Sequence, residues 1–162
     1  ACGFFRPHLP FYAPKRFWDL YDRASLPLAS NRFRPRDAPP GLRGSTEYRA
    51  YHDMDLEENS EAWHRAMRHG YLASLSYVDR LVGTLLDELD RLGRREDTLV
   101  VLVSDHGWHL GEHNFWGKHN TMEGALRVPL WWSHPRIAPG VDEGLVELVD
   151  VFPTLARWAG VV

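Results

Sequence analysis

Between positions 60 and 92 the apolar residues Met67, Tyr71, Leu75, Val78, Val82, Leu85, Leu89 and Leu92 recur at gaps of three and four. That spacing draws one apolar stripe along an α-helix, so a single long helix is predicted over 60–92 with the stripe facing a core. Ser60 can accept a hydrogen bond from the first turn, and Gly93 suits a left-handed exit. The run 98–103, "TLVVLV", is apolar and β-branched without alternation. This is the pattern of a strand covered on both faces, and it is expected as an interior, parallel strand of a mixed sheet. A second strand is predicted over 128–132, "VPLWW", with Pro129 near its start. Asp150 can cap a last helix in "VFPTLARWAG", closed by Gly160.

Helix, strand, loop, strand and helix in that order make an α/β pattern over 60–162. Residues 1–59 read differently. Prolines at 7, 10, 14, 27, 35, 39 and 40 deny this segment long helices, leaving only a short one around 15–21. The rest is expected to wrap over a surface near a functional site. No internal repeat or low-complexity tract divides the chain, so 1–162 is expected as one domain.

Composition narrows the class. A 162-residue chain is long enough for a core. A net charge of −3 gives no basic field for nucleic acid. No run approaches the roughly 18 apolar residues of a membrane span. The single cysteine, Cys2, forbids an internal disulfide and leaves the compartment open. The chain begins abruptly at "ACGFFRPHLPF" and reads as a piece of something longer. Of its 19 Lys and Arg residues, only Lys15 and Lys118 are lysine.

The densest chemistry follows the first strand. The run 104–120, "SDHGWHLGEHNFWGKHN", brings Asp105, His106, His109, Glu112, His113, Lys118 and His119 to a strand's carboxyl end, where open α/β sheets bind ligands. Gly107 and Gly111 allow a tight turn or close approach to a ligand. Four readings stand side by side. Asp105 and His106 could ligate a divalent ion together with partners from elsewhere. His109 and His113 lie four apart, as in a zinc helix, but the glutamate is misplaced for the protease motif and Gly111 weakens a helix. One histidine could act as a general acid or base. The fourth reading is an ordinary polar loop.

Four landmarks in order resemble the type I sulfatases of the alkaline phosphatase superfamily, with iduronate-2-sulfatase-like members nearest in look. These are "RPHLPFYAPKRFWDLY", "GYLASLSYVDRLVGTLLDELDRLG", the run "SDHGWHLGEHNFWGKHNTMEGALRVPLWW", and "ELVDVFPTLARWAG". The resemblance implies an alkaline-phosphatase-like mixed sheet flanked by helices, present here as the second part of a catalytic domain. It implies hydrolysis of sulfate esters, with a small sulfate ester or sulfated sugar as substrate. Asp105 and His106 match the second pair of metal ligands, with calcium the usual ion. Lys118 matches the lysine that contacts sulfate, and His8 a histidine facing the sulfate and bridging oxygen. His113 and His119 would lie beside the substrate. His109 matches no functional position and is expected to be exposed.

The family's nucleophile is a formylglycine made within Cys/Ser-x-Pro/Ala-x-Arg. "CGFFR" sets Cys2 and Arg6 at the right separation, but Phe4 stands where Pro or Ala belongs, so Cys2 is rejected. The first metal pair, two adjacent aspartates, has no match either. The N-terminal part of the same domain is therefore the implied partner, and the chain alone is expected to be inactive. The alternatives are a phosphate or phosphonate monoester hydrolase of the same superfamily and a non-catalytic remnant.

Overall fold

The computed structural model describes residues 1–51 and 54–161. Its spine is a helix over the expected range. After the short α1 (Lys15–Trp18), α2 runs from Glu61 to Arg91. Ser60 caps it by accepting from the Trp63 amide, and Gly93 leaves it at φ +65°.

The buried face of α2 is only half of the expected stripe. Trp63, Ala66, Met67, Gly70 and Ala73 are buried, whereas Leu85 and Leu92 are about half exposed. The core forms where the irregular segment crosses the helix. Leu9, Tyr48, Trp63, Met67 and Trp116 make one cluster, joined at its edge by Phe11, Met54, Trp108 and Leu110. At Gly70 the rings come so close that a β-carbon would stand 2.7 Å from the Phe11 side chain. Described residues of the irregular segment thus wrap the amino-terminal half of α2 and build much of the core, while Leu85 and Leu92 in its carboxy-terminal half lie about half exposed.

Beyond α2 lie β1 (Val100–Val103), β2 (His109–Leu110), β3 (Trp116–Gly117), the short α3 (Glu123–Leu126), β4 (Leu130–Ser133) and α4 (Val151–Trp158). The expected interior parallel strand is corrected. β1 pairs antiparallel with β4, Val100 opposite Ser133 and Val103 opposite Leu130, in a two-stranded sheet. Val103 is 44% exposed. An unbroken β-branched run reports that a strand wants both faces covered. It carries no information on the direction of its neighbours, and here the chain returns through α3 to lie antiparallel. β2 and β3 form a second antiparallel pair. In α4 the expected start holds, but the Asp150 carboxylate bonds back to the Glu147 amide rather than capping the helix. No described helix is long and apolar enough to cross a membrane.

One buried group makes stability depend on pH. His64 is 3% exposed, with Trp63 and Trp116 rings beside it and no partner for Nδ1. Burial first, then the charges of Arg32 and Arg68, hold its pKa below the ordinary 6.5. The unfolded chain therefore binds this proton at higher pH than the folded one. Its contribution is complete above the unfolded value and is lost as pH falls through the folded value. The urea midpoint should drop as pH is lowered through and below the ordinary 6.5, and less steeply in His64→Gln. Equal slopes in the two proteins would remove His64 as the cause.

Candidate active site

β1 ends at Val103, and the chain turns at once into Asp105 and His106. The Ser104 hydroxyl donates to the His106 carbonyl, and the His106 amide donates to the Asp105 carboxylate. Gly107 is needed for packing against protein. Its amide donates to the Ala125 carbonyl at 2.7 Å, and a β-carbon there would collide with the Gly124 backbone. Gly111 makes the tight turn, at φ +104°.

His106 Nδ1 lies 2.8 Å from the Gly107 carbonyl oxygen, so Nδ1 carries a proton. Nε2 then stands 3.6 Å from the Asp105 carboxylate. A proton on Nε2 or a cation between the two groups would keep them from facing each other as bare acceptors. The donor set fits a divalent ion in part: one carboxylate and one imidazole. Among the described residues, no group of three His, Cys, Asp or Glu side chains completes a sphere.

His8 and Lys118 meet on a residue that the sequence did not single out. His8 Nε2 lies 3.1 Å from one carboxylate oxygen of Glu47, and Lys118 Nζ lies 3.4 Å from the other. His8 Nδ1 stands 2.8 Å from the Leu9 carbonyl oxygen. Both ring nitrogens thus face acceptors. The Trp108 ring links this pair to the Asp105–His106 corner. Its centroid lies 6.3 Å from that of His8, 6.4 Å from that of His106, and 5.7 Å from Lys118 Nζ. His8, His106 and Lys118, distant in sequence, therefore gather around one indole, and His8 and Lys118 share one carboxylate.

The remaining histidines divide. His119 Nδ1 pairs with the Ser45 hydroxyl at 2.7 Å, and that hydroxyl accepts from the Glu47 amide, so His119 adjoins the cluster. The hydrogen bonds of His113 go to Asn31, through its amide at 2.6 Å and through Nδ1. They do not tie it to Lys118. His109, expected to be exposed, is 2% exposed. Strand β2 turns it inward, where Nε2 meets Asn120 and the ring lies against Phe115. Polarity misled there, because histidine is intermediate in burial and a hydrogen-bonded ring against an aromatic neighbour packs inside.

The sulfatase family model matches residues 3–161. This chain belongs to the sulfatase family. It is 35% identical to mouse iduronate 2-sulfatase over 99% of its own length and 35% of the relative's. It is 38% identical to choline-sulfatase of Rhizobium meliloti (strain 1021), over 98% of the chain and 31% of the relative. Among solved structures, the phosphonate monoester hydrolase of Silicibacter pomeroyi superposes with a TM-score of 0.81 at 31% identity, covering 97% of this chain and 33% of that one. The chain thus spans about a third of the length of these relatives, a partial α/β domain of the alkaline phosphatase superfamily.

Sequence reasoning missed Glu47 and the place of Trp108. Trp108 sits inside the quoted motif, and an indole flanked by histidines was a usable signal. Glu47 lies in an aperiodic stretch, where no local pattern foretells a contact with Lys118.

Proposed function

We propose that this sulfatase chain supplies the anion-binding and proton-donating side of a sulfate-ester hydrolase site. The observation that carries the reading is the convergence of His8 and Lys118 on a single carboxylate. Two donors that grip two oxygens of one anionic group are equipped to grip two oxygens of a sulfate. Lys118 neutralises charge on the sulfate oxygens. His8, as imidazolium, gives its proton to the departing ester oxygen. Asp105 and His106 would hold a divalent cation, calcium by the family's habit, which when bound neutralises further charge on the sulfate. Trp108 holds the two halves at a fixed spacing and keeps water from the face it covers. His119 steadies the Ser45 turn that carries Glu47.

The substrate class proposed is a sulfated sugar or another small sulfate ester, in keeping with the names of the mouse and Rhizobium relatives. Phosphonate or phosphate monoesters are the second reading, favoured by the superposition on the Silicibacter enzyme. The nucleophile and the other ligand pair are assigned to the part of the domain that the resemblance places before this chain.

Titrations of the chain with calcium and with inorganic sulfate test the assignment. Two ligands of calcium's usual six to eight predict a dissociation constant of about a millimolar or weaker. Asp105→Ala should abolish calcium binding, and Lys118→Ala should abolish sulfate binding. Sulfate affinity untouched by Lys118→Ala would place the anion elsewhere.

A further inference from the structure

The two side chains proposed to grip sulfate are already gripping something. Glu47 offers two oxygens on one carbon, one to His8 Nε2 at 3.1 Å and one to Lys118 Nζ at 3.4 Å. A sulfate would present two oxygens on one sulfur to the same two donors. We propose that Glu47 is an internal anion that closes the sulfate site, and that substrate binds by displacing it. The proposal rests on the reading of His8 and Lys118 as the anion site.

Three features make this carboxylate a removable occupant. Its grip is incomplete. The oxygen facing Lys118 is buried and makes no hydrogen bond, and 3.4 Å is an ion-pair distance beyond the 2.7–2.9 Å of a charge-assisted hydrogen bond. A buried carboxylate oxygen without a donor is costly, so the closed state is held only loosely.

The anchor of Glu47 is firm where the carboxylate is not. Its amide donates to Ser45 Oγ at 3.1 Å. The next residue, Tyr48, is 6% exposed, with its ring 5.4 Å from that of Trp63 and its hydroxyl donating to Glu58 at 2.6 Å. Burial and then Glu58 push the Tyr48 hydroxyl up to about 12, so it stays a donor at any physiological pH. The backbone is clamped on both sides, while the side chain is 22% exposed and turns on its own torsions. Departure of the carboxylate requires no movement of the core.

Charge excludes a shared site. A sulfate beside a retained Glu47 would set two anions against one ammonium and one imidazole in a partly buried space, where like charges repel far more than in water. Either the carboxylate leaves or the sulfate does not enter. Free inorganic anions, which bring no other contacts, are therefore held weakly. An ester, which brings its alcohol portion and meets the Asp105–His106 corner, can displace the carboxylate. After cleavage the same competition expels the product sulfate.

Inorganic sulfate is the probe. The 162-residue chain and its Glu47→Gln and Glu47→Ser variants are titrated by calorimetry, with the ring signals of His8 followed by NMR. Both variants remove the charge at a part-exposed position, and Ser also removes the amide that Gln could offer to Lys118. Sulfate should bind roughly tenfold tighter or better in both, with the His8 signals moving. Adding Lys118→Ala to Glu47→Gln should abolish the gain. Sulfate affinity unchanged or weakened in both variants, but still lost on Lys118→Ala, overturns the proposal and leaves the anion site standing; Glu47 would then only orient His8. No Lys118-dependent sulfate binding in any of these proteins overturns the anion site itself and the proposal with it.

Discussion

Trp63→Ala is expected to cost about 3–5 kcal/mol of folding free energy, a large share of the roughly 5–15 kcal/mol that holds a domain folded. Trp63 is 1% exposed and lies where every part of the core meets. Its ring makes edge contacts with Tyr48 at 5.4 Å and Trp116 at 4.9 Å. Tyr48 belongs to the irregular segment, Trp63 to α2 and Trp116 to β3, so one truncation loosens three regions at once. The cavity cannot close easily, because Met67 and Trp116 are themselves wedged against neighbours and packed interiors relax little. The control is another tryptophan. Trp131, on β4, is 69% exposed, and Trp131→Ala should change stability by no more than about 0.5 kcal/mol. Urea unfolding followed by far-ultraviolet circular dichroism compares the two. A small loss at 63 with a large one at 131 would move the core from the α2 crossing to the β1–β4 sheet.

That contrast shows where local pattern suffices. α2 was legible because a three–four repeat, a serine cap and a terminal glycine agree, and all are local. The strands β1 and β4 and the helix α4 were legible for the same reason. The core partners were not. Leu9, Phe11, Tyr48 and Met54 lie among prolines and arginines with no period, and they are buried by contacts reaching far along the chain. The periodicity predicts that the carboxy-terminal half of the stripe faces a core, yet Leu85 and Leu92 lie open, as do Val103 on β1 and Phe152 on α4. Periodicity states which face is apolar; what covers that face is a tertiary fact. These open faces belong to a chain that spans about a third of its relatives.

The candidate site divides along the same line. Asp105, His106 and Lys118 were legible because they sit in one motif after one strand. His8 came from family resemblance, and the structure sets it around the same indole as His106 and Lys118. Glu47 came from neither. A carboxylate at the first position of a short turn looks like solvent-facing charge until Ser45 and Tyr48 are seen to fix its backbone beside Lys118.

The largest functional effect expected is an absence. Purified alone with added calcium, the chain should turn over no aryl sulfate. Its candidate groups neutralise charge and donate a proton, but none attacks sulfur. In the family that step belongs to a formylglycine made within Cys/Ser-x-Pro/Ala-x-Arg, and no such run occurs in these 162 residues. Cys2, though exposed, has Phe4 where the motif requires Pro or Ala. Without covalent catalysis the site retains electrostatic positioning only, and positioning cannot replace a nucleophile worth many powers of ten in rate. Joining an upstream segment that carries the modified motif should bring turnover above background, and Lys118→Ala should lower it again by about a hundredfold or more. Two outcomes would refute the assignment of the nucleophile to that segment. Turnover by the chain alone that vanishes in Cys2→Ala would make Cys2 the nucleophile despite Phe4. Turnover that survives Cys2→Ala but is lost in Asp105→Ala would mean that the attacking group, a side chain or a water, already stands beside the Asp105–His106 corner.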